Sequence, residues 1–143
     1  MFAAPPGCSI AAARSAILQA PALRELAPTV RSGGGPDTLI CHDLTGDGVP
    51  ELAVTVFSGG TAGDIAWVVF RRSSGRWRVA YAQLKAYKVG LFRVGGDLVE
   101  SQPIYRANDP NCCPSGGFRH RRFRWNGATF RVVRTWHDAS FRP

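Results

Sequence analysis

Acidic residues and glycines concentrate in Asp43-Leu44-Thr45-Gly46-Asp47-Gly48-Val49-Pro50-Glu51-Leu52, between two apolar runs. Side-chain oxygens of Asp43, Thr45, Asp47 and Glu51 stand at loop positions 1, 3, 5 and 9, with the Val49 carbonyl at position 7. That donor set suits a hard cation such as calcium. The loop departs from an EF-hand, which ends in a bidentate Glu at position 12, where this chain has Val54. The competing arrangement is a hairpin turn in which Asp43 and Asp47 cap backbone amides and Gly46 and Gly48 take left-handed conformations. In either case three carboxylates repel one another until a cation or amides compensate them.

The four cysteines are the second set with chemistry. In a small domain rich in glycine and proline they point to an oxidising compartment. Adjacent cysteines rarely bond because an eight-membered ring is strained, so the expected bridges run from Cys8 and Cys41 separately to Cys112 and Cys113. Which of Cys112 and Cys113 pairs with Cys8 stays open. A zinc site from Cys41, His42, Cys112, Cys113 and His120 has neither a C-x-x-C pair nor regular histidine spacing.

No enzyme signature is present. No serine stands in a Gly-x-Ser-x-Gly elbow, Gly59 to Gly63 lacks the lysine of a phosphate loop, and no cysteine-protease signature surrounds any thiol. His42, His120 and His137 read as strand or surface histidines with satisfied hydrogen bonds. Arg119-His120-Arg121-Arg122-Phe123-Arg124-Trp125 interleaves cations with aromatics, as polyanion-binding sheets do. If the aromatics face the core they cannot stack on bases, and Arg122, Arg124 and Arg131 are left as a solvated face and the weaker anion-binding candidate.

The net charge of +8 over 143 residues comes almost wholly from arginine, since Lys85 and Lys88 are the lysines. It selects no partner by itself. Residues 1–8 have neither a basic nor an apolar signal region, so an exported form implies a leader already removed. Pro5 and Pro6 occupy positions where a lipobox carries small and aliphatic residues, which argues against a lipid on Cys8. Apolar runs such as Ile65 to Phe70 fall far short of the roughly 20 residues of a bilayer span.

The elements that must position these groups follow from periodicity. Ser9 caps a helix in which Ile10, Ala13, Ile17 and Ala20 recur at helical spacing until Pro21. A second turn runs to Leu26, and the helical segment spans 9–27. Pro28 and the glycine-rich loop 32–36 then separate helix from sheet. Strands are expected at 38–42, 52–57, 65–72, 77–84, 89–94, 98–105, 118–125 and 129–136. The fold class is therefore α+β: one domain over 1–143, with an N-terminal amphipathic helix packed on a mainly antiparallel meander sheet over 38–136 and stapled by disulfides. Ile65 to Phe70, apolar on both faces, marks a central strand. Trp77, Val79 and Tyr81 are expected to share a core face. Asn126-Gly127 signals a type I′ hairpin pairing Trp125 with Ala128 and Phe123 with Phe130, and Arg122 with Arg131 on the other face.

Three motifs in this order resemble the actinobacterial LppP/LprE-type lipoprotein family over residues 38–136: Cys41 to Gly48, Tyr105 to Gly116 with Cys112-Cys113-Pro114-Ser115, and Phe123 to Phe130. The acidic loop also resembles the calcium loops of FG-GAP and VCBS repeats, without the repetition of a propeller. The family resemblance implies an exported protein, extracellular or in the cell envelope. The combined expectation is a binding or structural module with calcium as its cofactor and an envelope component or protein as its partner. The alternative is a polyanion-binding module for nucleic acid or envelope polymer, nucleic acid being disfavoured. A hydrolase ranks third.

Overall fold

The computed structural model describes residues 7–143. Helix α1 (Ile10–Gln19) begins where expected, with the Ser9 hydroxyl accepting from Ala12 N at 3.0 Å, and buries Ala13 and Ile17. A 3₁₀ segment, Pro21–Leu26, and a short α2, Ala27–Arg31, extend the helical layer. Pro28 lies in the first turn of α2, where its missing N–H costs no bond, so it starts this helix rather than stopping the previous one.

Eight strands follow: β1 (Gly35–His42), β2 (Glu51–Phe57), β3 (Asp64–Ser73), β4 (Arg76–Gln83), β5 (Gly90–Val94), β6 (Asp97–Pro103), β7 (Phe118–Trp125) and β8 (Phe130–Asp138). They form two antiparallel meanders, β1-β2-β3-β4 (sheet A) and β5-β6-β7-β8 (sheet B). The glycine-rich stretch is shorter as a loop than expected, because Gly35 already pairs with Phe57.

Sheet A lies between the helices and sheet B. Leu52, Val54, Val56, Ala66, Val68 and Phe70 meet Ile17, Leu23, Leu26 and Val30 on one face. Ala53, Trp67 and Val69 meet Leu98, Phe123 and Phe130 on the other. This explains why β3 is apolar at every position from Ala66 to Phe70: it has a core on both sides. Trp67, Tyr81 and Phe123 close the second core with ring centroids 4.9, 5.0 and 5.2 Å apart.

Two bulges and one wider turn overturn the sequence reading of faces and pairings. Val69 pairs with Tyr81 and Phe70 with Val79, so Ala80 is the extra residue of β4. Trp77 and Val79 therefore pack on the helical side, while Ala80 and Tyr81 pack toward sheet B. In β7 and β8, Trp125 pairs with Phe130, Arg124 with Arg131 and Phe123 with Val132; beyond the bulged Val133, Arg122 pairs with Arg134. Asn126-Gly127 makes no two-residue turn. Asn126 Oδ1 accepts from Ala128 N and Thr129 N, each at 2.9 Å, and the loop widens to four residues. The two-residue turn with positive φ at both positions occurs instead at Ser74-Gly75 (52° and 75°), between the paired Ser73 and Arg76.

The bridges are Cys8–Cys41 and Cys112–Cys113, not the two cross-links expected. Cys41 lies on the helix-facing side of sheet A, where Cys8 precedes α1, and their Cα atoms are 6.2 Å apart. The Cys112-Cys113 loop joins β6 to β7 of sheet B. Sheet A thus separates the two cysteine pairs, and ring strain, a preference rather than a prohibition, yields to that separation. All four sulfurs are consumed, which removes the cysteine ligands of the zinc reading and leaves Cys8 no sulfur for a lipid thioether.

Candidate metal centre in the acidic loop

The acidic loop connects β1 to β2, and the pairs His42–Glu51 and Cys41–Leu52 bring its ends together. Asp43 acts as an internal cap. Its Oδ1 accepts from Thr45, Gly46 and Asp47 amides at 3.3, 2.8 and 3.2 Å, and its Oδ2 from Gly48 N at 2.8 Å. The Gly48 amide, with those of Gly46, Thr45 and Asp47 beside it, holds the Asp43 carboxyl below its usual pKa. Gly46 and Gly48 sit at φ +79° and +83°, the left-handed conformations this curl requires. Asp47 Oδ1 accepts from Val49 N at 2.9 Å.

Glu51 is the buried member, 1% exposed, and its Oε1 accepts from Leu44 N at 2.7 Å and Thr45 N at 3.0 Å. Burial, followed by the nearby charges of Asp47 and Asp43, pushes its pKa up. Arg71 on β3 spans the outer side, with a guanidinium nitrogen 3.4 Å from Asp47 Oδ2 and its Nε 4.0 Å from Glu51 Oε2. Oxygens of Asp43, Asp47 and Glu51 lie within 4.8 Å of one another, so the triad can hold a metal ion. The buried Thr45 Oγ1 makes no hydrogen bond that satisfies normal geometry. Of the five sequence candidates, the structure thus gathers the carboxylates of Asp43, Asp47 and Glu51 around one point, and Thr45 joins them through its amide, which donates to Asp43 and Glu51; Val49, a candidate through its carbonyl, donates its amide to Asp47.

The arginine candidates fare differently. Arg122 and Arg124 do lie opposite the buried Phe123 and the partly buried Trp125, but both are engaged by Asp97, at 2.7 and 2.9 Å. Burial works against the Asp97 charge, yet the hydrogen bonds and charges of Arg124 and Arg122 outweigh it and lower its pKa. Arg131 is exposed across from Arg124. The face is thus partly neutralised from within.

Strand pairing assembles one constellation that sequence reading missed. The Ser101 hydroxyl and His120 Nδ1 are 2.6 Å apart, and His120 Nε2 and Asp138 Oδ1 are 2.8 Å apart. In the tautomer with its proton on Nε2, that nitrogen donates to Asp138 and Nδ1 accepts from the Ser101 hydroxyl. By residue type this is a nucleophile, base and orienter. Its access is inverted, because Ser101 and His120 are 0% exposed while the Asp138 side chain is 43% exposed. Solvent reaches the carboxylate and not the hydroxyl, the reverse of the access that a nucleophile needs. The spacings of 19 and 18 residues carry no motif; only the β6-β7-β8 registers, Ser101 to His120 and His120 to Trp136, create it.

A groove of about 720 Å³ between α1 and β4, lined by Ala12, Ser15, Gln19, Trp77 and Val79 among others, gathers no acid, histidine or thiol. Among the described residues, no helix is long and apolar enough to cross a membrane. The chain matches no protein-family model, no curated protein and no solved structure.

Proposed function

We propose that this chain is an exported, envelope-associated binding or structural module of the LppP/LprE type, and that calcium bound by its acidic loop stabilises it. The observation that carries the metal reading is the convergence of Asp43, Asp47 and Glu51 oxygens within 4.8 Å, with the buried Thr45 hydroxyl beside them. One arginine, Arg71, reaches two of these three carboxylates, Asp47 and Glu51. A divalent cation would offset the remaining repulsion and draw on oxygens the amides leave free: Glu51 Oε2, Asp47 Oδ2 and Thr45 Oγ1. The loop would then act as a clasp closing β1 onto β2 rather than as a catalytic centre. Export is supported by the Cys8–Cys41 bridge, a bond favoured in oxidising compartments.

A thermal melt in millimolar calcium against excess chelator tests the metal. Binding to the native state alone adds about 2.7 kcal/mol at a hundredfold excess over Kd. Asp47→Asn should weaken that gain and leave the metal-free fold intact, since Asn supports the same turn. Equal melting temperatures with calcium and chelator would leave the amide-capped turn as the whole account of the loop.

A further inference from the structure

The second bridge joins neighbours in sequence, so it ties no distant segments together, and its two cysteines are exposed where Cys8 and Cys41 are half-buried. Cys112 lines a cleft of about 250 Å³ together with Lys88, Tyr105, Pro114, Phe118 and Phe141. Lys88 is held there deliberately. Its backbone sits at φ +48°, a conformation that side-chain-bearing residues rarely adopt, and Asn108 in the cysteine loop is at +70°. The Lys88 ammonium lies 5.6 and 5.8 Å from the Tyr87 and Tyr105 ring centroids and donates to the Asn111 carbonyl, the peptide that leads into Cys112. The Tyr105 hydroxyl donates to the same carbonyl at 2.6 Å, and the Tyr87 hydroxyl donates to Asn111 Oδ1. An exposed sulfur pair, and a cation fixed on the peptide that leads into it and lining the same cleft, are the surroundings of a reactive cysteine rather than of a structural staple.

We infer that Cys112–Cys113 is a redox-active site that exchanges with an external dithiol, with Lys88 as the cation that stabilises the leaving sulfur. A thiolate of the dithiol attacks Cys113 Sγ; the Sγ–Sγ bond breaks, and Cys112 leaves as a thiolate beside the Lys88 ammonium. The second thiol of the reductant then displaces Cys113 and closes its own disulfide. Two electrons pass from the dithiol to the bridge, and the two thiol protons end on Cys112 and Cys113. Attack on Cys113 follows from the cation, because exchange is faster when the departing sulfur is the better-stabilised thiolate. Reduction also releases the constraint between residues 112 and 113, so the loop held by Tyr87, Tyr105 and Lys88 is free to rearrange.

The test is graded dithiothreitol on the folded, oxidised chain, quenched with acid, alkylated and mapped by mass spectrometry. The expected result is reduction of Cys112–Cys113 at least about tenfold faster than Cys8–Cys41, reversed by oxidised glutathione. With reduced glutathione as probe, the mixed disulfide should be found on Cys113. Lys88→Met should slow the exchange several-fold at neutral pH and leave the Cys8–Cys41 rate unchanged, while Lys88→Arg restores it. Equal rates for the two bridges in the wild type, or reduction only on unfolding, would overturn the site without any variant. An unaltered rate in folded Lys88→Met would overturn the role of the cation.

Discussion

Trp67 Nε1 donates to Glu100 Oε2 at 2.8 Å, and this bond ties the central strand of sheet A to sheet B through the core. Glu100 is 0% exposed, and Arg121 completes its coordination with two bonds at 2.8 and 3.0 Å. Both carboxylate oxygens are thus satisfied, which is the condition for a buried charge to persist. Glu100→Ala should strand the indole N–H and the guanidinium together. The expected loss is about 3–5 kcal/mol, or roughly 10 °C in Tm, measured by thermal melts followed at tryptophan fluorescence. A loss within experimental error of zero would mean that hydrophobic packing alone holds the sheets together.

Asp64 at the start of β3 is pushed up to about 6 by burial first and then by the hydrogen bond and charge of Asp37; the Thr55 hydroxyl pulls the other way. Below the ordinary value of 3.8 both native and unfolded chains hold the proton, and the site costs nothing. As pH rises from there through about 6, the unfolded chain ionises first, so stability falls across that window. Asp64→Asn should therefore stabilise the protein at pH 7.5 by about 1 kcal/mol after solvent screening of a partly exposed group. The gain should vanish by pH 4. Denaturation curves for the two proteins that stay parallel across this range would refute the assignment.

Ser101 should be inert as a nucleophile. A fluorophosphonate probe should leave the folded wild type unlabelled, and Ser101→Ala should cost about 1–2 kcal/mol by leaving His120 Nδ1 unpaired. Asp138 carries a lowered pKa, chiefly from the His120 hydrogen bond and then from the Ser140 amide, so its contribution is present above the ordinary carboxylate value and is lost as pH falls through the lower native one. Stoichiometric labelling at Ser101 would reopen the hydrolase reading.

Cys8–Cys41 spans a sequence separation of 33 and staples α1 to sheet A. Replacing both cysteines with serine should lower stability by about 3–4 kcal/mol through the freed unfolded chain. The corresponding double variant of Cys112 and Cys113 should lose far less, since no long loop is released. Chemical denaturation of the two variants side by side checks the contrast.

Much of the fold was legible because its signals are local. Ser9 and Pro21 bound α1, and alternating or doubly apolar runs locate all eight strands to within a few residues, since cap chemistry and strand periodicity depend on nearest neighbours. The acidic loop was legible for the same reason: Asp43 reaches the amides two to five residues ahead of it. What the sequence could not decide was how strands meet. A single extra residue at Ala80 sends Tyr81 to the opposite core, and the Asn126 side chain, by bonding Ala128 and Thr129, shifts the last hairpin by two residues. The bridges followed from layering. Sheet A lies between the Cys8 side and the Cys112 loop, and no spacing rule encodes which side of a sheet a loop hangs from. Glu100 beneath Trp67, Asp97 between two arginines, and Ser101 on His120 are likewise products of register, because each joins groups that only strand pairing and sheet stacking bring within a hydrogen bond.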